Sequence, residues 1–180
     1  LYADHFPFRQ YASARGIRRS AIHQNLLERG ACFGEVAGWE RANWFLPADL
    51  VSEGNTPEYK YSWGRQNWFD FAAQEHLAVR QKAGFFDMSS FAKFRLEGKD
   101  AQAVLQRIMA NDVDVEPGRV IYGQWLNNSG GIEADLTVTR LTETVFLIVT
   151  SAASATRDLA WLKKNIPEGA HCIATDITAS

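Results

Sequence analysis

The residues most able to do chemistry lie in one stretch, Tyr122-Gly123-Gln124-Trp125-Leu126-Asn127-Asn128-Ser129-Gly130-Gly131-Ile132-Glu133-Ala134-Asp135-Leu136. Asp135 follows a Gly-Gly turn and sits early in a β-rich run, between small Ala134 and apolar Leu136. If Leu136 faces a core, strand alternation sends Asp135 to the opposite face with Glu133 and Thr137. An Asp at an arbitrary position is most often a solvated side chain. Asp is also a poor strand former, so its placement here points to a use. A carboxylate at that position can accept a hydrogen bond from an amine or hold a proton donor.

Other chemistries find little support. No glycine-rich dinucleotide fingerprint, phosphate loop, HExxH or CxxC occurs. The histidines His5, His23, His76 and His171 are scattered without helical ligand spacing, and they read as surface or locally bonded side chains. Cys32 and Cys172 have no metal-ligand spacing and read as free, buried thiols. That suits a reducing compartment, the cytoplasm or, in a eukaryote, the mitochondrial matrix. Ser151 to Ser154 has no neighbouring nucleophile motif and suits a helix N-cap. No metal site is expected.

The elements that must position Asp135 follow from periodicity and turn chemistry. Val120–Leu126 and Ile132–Arg140 are expected to form an antiparallel hairpin around Asn127-Asn128-Ser129-Gly130-Gly131. Phe91–Glu97 alternates apolar with small or charged residues, a half-buried strand, and Gly98 turns the chain. Thr144–Thr150 reads as a strand, as does Ala170–Ile177, which is expected at a sheet edge or beside exposed apolar surface, where it would promote self-association. Helices are expected over Lys99–Ala110, Ser151–Lys164, Asp70–Ala83 and Arg18–Gly30, the last capped by Ser20. Ala31–Val36 is a short strand candidate and Phe85–Ser89 begins extended structure. Gly38–Phe45 has no clean period, and Leu46–Gln66 has the Pro, Gly and Asn content of a loop. Strands and helices mix without strict βαβ alternation. The fold class is therefore α+β, a mixed or antiparallel sheet with flanking helices.

The 180 residues carry 46% hydrophobic and 22% charged residues, near the globular average, which excludes disorder as a whole-chain description. With 19 Lys and Arg against 21 Asp and Glu, the net charge is −2. A general nucleic-acid binder would carry a basic surplus. No apolar run reaches the ~20 residues of a membrane span, so neither partner is expected. Of the six tryptophans, Trp39, Trp44, Trp63 and Trp68 fall in the irregular region. Packing between two domains is the simpler reading, and a flat pocket for an aromatic ligand the alternative.

The run Gly84-Phe85-Phe86-Asp87-Met88-Ser89, with Lys93-Phe94-Arg95-Leu96-Glu97-Gly98, resembles the opening of the folate-binding T-protein (aminomethyltransferase) of the glycine cleavage system. Ala110-Asn111-Asp112-Val113, then Val120-Ile121-Tyr122, Leu126-Asn127, Gly130-Gly131-Ile132 and Asp135-Leu136 follow in that family's order. The earlier Gly16–His23, Arg29-Gly30-Ala31 and Gly38-Trp39-Glu40-Arg41 with Trp44-Phe45 are similar to the junction in sarcosine and dimethylglycine dehydrogenases. In those proteins an FAD-dependent oxidoreductase precedes a T-protein-like domain. The resemblance implies a fragment: residues 1–64 the end of the FAD-dependent part and a connector, residues 65–180 the first portion of a folate-binding domain. It implies tetrahydrofolate as a cofactor of this region, FAD in an upstream part, and a small N-methyl amine as substrate. The rest of the same polypeptide would be its partner. By motif, Asp135 carries over as the catalytic and folate-binding carboxylate and Tyr122 as a folate-pocket residue. Phe91 and Asp112 match weaker positions near that pocket. Asp135 is expected to face a concave pocket near Tyr122. A non-catalytic folate-fold module serving assembly or regulation is the alternative.

Overall fold

The computed structural model describes residues 4–13 and 15–179; Leu1, at the start of the chain, and Ser180, at its end, lie outside the described residues. The chain divides into two compact units, Leu1–Ser90 and Phe91–Ser180.

The first unit is built on a hairpin of β1 (Ala31–Val36) and β2 (Trp39–Phe45). Ala37 and Gly38 both take positive φ, 51° and 82°, the two-residue turn whose twist matches antiparallel strands. Ala31 and Phe33 pack with Leu26 of α1 (His23–Glu28). On the other face Cys32 and Trp44 pack with Leu46, with Leu50 and Val51 of α2 (Ala48–Ser52), and with Phe71 of α3 (Phe69–Gln81). Trp44 and Phe71 stack at 5.7 Å with their planes 9° apart. Of the four tryptophans of this segment, Trp39 and Trp44 are buried, and Trp44 packs on Trp68 and Phe71.

Helix α1 is shorter than its apolar spacing predicts because the segment before it is used otherwise. Arg18 pairs with Trp39 as a parallel bridge: Arg18 N donates to Gly38 O at 3.0 Å and Glu40 N to Arg18 O at 2.9 Å. Residues committed to a strand ladder cannot also be helical. Ser20 makes no side-chain cap; the N-cap is Ile22. Glu40 fastens the same segment. Its carboxylate, 7% exposed, accepts from Arg15 Nε at 2.9 Å, Arg15 Nη2 at 2.8 Å and Gly16 N at 2.6 Å.

The Arg15 hydrogen bonds hold the Glu40 carboxyl below its ordinary value, against an opposing effect of burial. A carboxyl lowered on folding stabilises fully above its unfolded value and loses that contribution as pH falls through the folded one. Glu40→Gln should therefore flatten the acid limb of the stability profile. Glu40→Ala should cost about 2 kcal/mol, the scale of a lost charged hydrogen-bond set with one partly solvated partner. Urea midpoints at neutral pH and well below the ordinary carboxyl range check both; a Glu40→Ala loss no smaller in acid would show that the charge of Glu40 contributes nothing.

The second unit is a five-stranded antiparallel sheet in the order β4-β5-β6-β3-β7. Its strands are β3 (Ala92–Glu97), β4 (Val120–Leu126), β5 (Ile132–Thr142), β6 (Val145–Thr150) and β7 (Ile173–Asp176). β3 follows the expected alternation: Ala92, Phe94 and Leu96 are fully buried. They join Trp125, Leu136, Val138, Phe146 and Ile148 under α4 (Ala101–Ile108) and α5 (Ala155–Lys164), which contribute Val104, Leu105, Ile108 and Leu162. Both helices thus cover one face of the sheet. Ser151 opens the helical segment as its composition suggests, its Oγ accepting from Ala153 N at 3.3 Å. Asp158, 1% exposed, accepts from Thr150 Oγ1 at 2.6 Å and Ser154 Oγ at 2.7 Å, fixing α5 to β6. β7 takes the sheet edge, with Ile173 60% exposed, as expected for that strand. Phe85, Phe86, Asp87 and Met88 lie outside helix and strand ahead of β3, and Phe85 and Phe86 are exposed.

Candidate functional site

The face of the sheet opposite α4 and α5 presents Tyr122, Gln124, Asp135, Thr137 and Thr139. Strand β5 alternates about this division: Ala134, Leu136 and Val138 are buried, and Asp135 between them is exposed. The hairpin turn sets the register. Asn127 Oδ1 accepts from Ser129 N at 3.0 Å and Gly131 N at 2.9 Å, Asn127 N donates to Gly131 O at 2.9 Å, and Gly130 takes φ 77°. Gln124 then lies directly opposite Asp135, and Tyr122 opposite Thr137.

Register brings the two expected residues together. Tyr122 Oη donates to Asp135 Oδ2 at 3.1 Å, and Gln124 Nε2 stands 3.5 Å from Asp135 Oδ1. By accepting this bond, and by its charge, the Asp135 carboxylate holds the Tyr122 phenol above its ordinary value; a hydrogen bond from Gln124 opposes it. The three polar groups form a cluster with an acceptor at its centre. An amine N–H arriving from solvent would find a carboxylate oxygen already oriented, and an aromatic face beside it. Tyr122 is 61% exposed, and Asp135 is exposed too. The pair therefore stands on an open sheet face, which corrects the expectation of a concave pocket in this chain: the helices that bury the sheet lie on its other side.

The weaker candidates are placed elsewhere. Phe91, half-buried, precedes β3, which is separated from β5 by β6. Asp112 lies in the connector between α4 and β4, and its Oδ1 accepts from Asp114 N at 2.9 Å, the bond of a local turn. Two residues around the Tyr122–Asp135 pair escape sequence reasoning. Gln124 becomes a partner of Asp135 only once the register is known. Asn111, beside Asp112, donates from Nδ2 to Tyr122 O at 2.5 Å.

Two cavities are lined by described residues of the first unit. One, about 740 Å³, is lined by Arg15, Arg19, His23, Cys32, Glu40, Tyr59 and Tyr61 among others. Burial pushes the Cys32 thiol up to about 11, so it is no nucleophile near neutral pH. Burial, and then Arg19, keep the His23 imidazole below its ordinary value. The other, about 910 Å³, is walled by Trp39, Phe45, Leu77, Val79, Phe85 and Phe86. No group of three His, Cys, Asp or Glu among the described residues could hold a metal ion, and no described helix is long and apolar enough to cross a membrane.

Comparison with known proteins identifies the family and the fold. The pattern of the GCVT N-terminal domain matches residues 22–180. A Paenarthrobacter nicotinovorans protein named 4-methylaminobutanoate oxidase (formaldehyde-forming) is 44% identical over 180 residues, covering 100% of this chain and 21% of its own length. Mouse mitochondrial sarcosine dehydrogenase is 36% identical over 159 residues, covering 78% of this chain and 17% of its own. The mouse mitochondrial pyruvate dehydrogenase phosphatase regulatory subunit is 30% identical over 183 residues, covering 99% and 20%. The chain spans about a fifth of the length of these relatives. Among solved structures, the glycine cleavage system aminomethyltransferase T from Bartonella henselae superposes with a TM-score of 0.70 at 27% identity, over 90% of this chain and 38% of that one. The fold is thus the α+β fold of an aminomethyltransferase, and the chain belongs to the GCVT N-terminal domain family.

Proposed function

We propose that the open face carrying Tyr122, Gln124 and Asp135 binds tetrahydrofolate within an FAD- and tetrahydrofolate-dependent N-methyl amine dehydrogenase of the sarcosine or dimethylglycine type. Residues 1–64 would be the end of the oxidoreductase part and its connector, and residues 65–180 the first portion of the folate-binding domain. The observation that carries this reading is the 3.1 Å bond between Tyr122 Oη and Asp135 Oδ2 on an exposed face, at the positions the family motif marks. The donor set suits the ligand. A carboxylate accepts from ring and aryl amine N–H groups, and the exposed Tyr122 ring and Val120 side chain offer a flat and an apolar surface for a planar heterocycle. FAD does not fit this chain's residues, which include no dinucleotide fingerprint; the flavin chemistry would belong to an upstream part of the polypeptide.

Bound tetrahydrofolate would supply the nitrogens that take up the one-carbon unit as methylene-tetrahydrofolate. The chain's own part is positioning and charge. Asp135 would accept a hydrogen bond from the amine, favour its attack on an electrophilic carbon and hold the proton released. Gln124 would keep Oδ1 occupied so that Oδ2 faces the ligand, with Tyr122 yielding its bond to the carboxylate. Oxidation of an N-methyl amine would leave an iminium carbon that is already reactive, so orientation supplies most of the benefit.

A regulatory module is the second reading, favoured by the relative named as a regulatory subunit. Titration with tetrahydrofolate and analysis for methylene-tetrahydrofolate separate the two. An enzyme binds and forms product, whereas a module without this activity yields no product.

A further inference from the structure

Both ligand-facing residues of β4 stand on the strand at the open end of the sheet, where outward carbonyls have no neighbouring strand. Edge strands fray unless something occupies them. Here the chain leaving α4 does so. Met109 bridges Trp125, Ala110 N donates to Gln124 O at 2.8 Å, and Asn111 Nδ2 donates to Tyr122 O at 2.5 Å. Position 123 leaves the room: a Cβ on Gly123 would come within 2.9 Å of Met109 Cε and 3.2 Å of Asn111 Nδ2. The connector is itself anchored. Val113 is fully buried and its N–H donates to Gln106 Oε1 at 3.0 Å, and buried Arg140 holds Asp114 Oδ1 at 2.9 Å and Val115 O at 2.8 Å.

We propose that Asn111 is a positioning residue for the folate face: it clamps the edge strand at Tyr122 and so holds the Tyr122 hydroxyl on Asp135. This rests on the folate reading only for its consequence; the clamp itself is a statement about Tyr122. Asn is suited to the task because its short amide reaches a carbonyl beside a glycine. Asp has the same shape but no donor, and would set a carboxylate against that carbonyl. Asp112, the acid next to it in the motif, serves the local turn.

The test uses the full chain, with Asn111→Asp and Asn111→Ala beside the wild type. The Tyr122 phenol is titrated by NMR of labelled tyrosine, assigned with Tyr122→Phe. Around Tyr122 the ladder places Gln124 and Asp135, with Lys93 in the same row beyond Thr137 and Val149. Glu133 lies two residues from Asp135, its Oε1 held by Asn127 at 2.9 Å. Asn111 is on the surface, so both variants should keep the wild-type circular dichroism. The expected result is a Tyr122 titration raised in the wild type and returned toward the ordinary phenol value in both variants, with tetrahydrofolate affinity about tenfold weaker, the effect of one misplaced hydrogen-bonding group. Folded variants with an unchanged Tyr122 titration would overturn the proposal, even with a lowered Tm, because the Asn would then be structural only. A wild type whose Tyr122 is not raised would overturn it too. A Tyr122 that responds in a chain that does not bind tetrahydrofolate would sink the folate reading and uphold the clamp.

Discussion

Asp135→Asn, in the longest active form of the polypeptide, should cut formation of methylene-tetrahydrofolate by about 10²-fold or more, the usual scale for a positioned acid–base group. Oxidation of the N-methyl amine should continue. The substitution keeps the size of the side chain and its ability to accept at one oxygen. It removes the charge that orients the amine and the second acceptor that Tyr122 Oη now meets at 3.1 Å. The side chain is exposed and lies outside the core, so the fold should persist. Quantifying formaldehyde and methylene-tetrahydrofolate in the same reaction checks this. An equal loss of amine oxidation would indicate a folding defect. Unchanged folate product would remove Asp135 from the mechanism.

Gly98→Ala should be the most damaging methyl addition in the second unit. Gly98 ends β3 at φ +134°, a conformation L side chains rarely adopt. Its Cβ would lie 2.1 Å from His171 O and 2.6 Å from Cys172 Cα, backbone atoms with little freedom to retreat. That backbone leads directly into β7, which pairs with β3 from Glu97↔Ile173 onward. Backbone strain and overpacking each cost about 1–3 kcal/mol, so a loss of about 3 kcal/mol or more is expected. Hydrogen exchange should show β7 opening first, because an edge strand has one ladder to lose. A Tm within a degree of wild type would contradict the geometry. The glycine that closes the motif in this family thus has a local cause: the approach of the β7 entry.

What the sequence disclosed depended on whether a local rule competed with a tertiary one. The β4–β5 hairpin was legible because Asn127 to Gly131 encodes its turn and both strands keep one face buried. Asp135 was legible for the same reason, being a poor strand former on the outward face. β2 was not, because Trp39 and Glu40 are buried in succession, which erases the period-2 signal. The helical spacing of Ala21, Ile22, Leu26 and Leu27 does not reveal that Arg18 pairs with Trp39, so α1 starts later than that spacing predicts. Within the site, Gln124 and Asn111 were silent: a Gln opposite an Asp, and an Asn eleven residues before a Tyr, become partners only once register and edge are known.

The proposed tetrahydrofolate site lies on the open face of the β4–β5 hairpin. Titrating isotopically labelled protein with tetrahydrofolate, and following backbone amide resonances, tests it most directly. Saturable shifts centred on Tyr122, Gln124, Asp135 and Thr137 are expected, with affinity at least about tenfold weaker in Asp135→Asn, as for loss of a charged hydrogen bond. Absence of saturable binding, or shifts centred on the cavities of the first unit with Asp135→Asn unchanged, would contradict it.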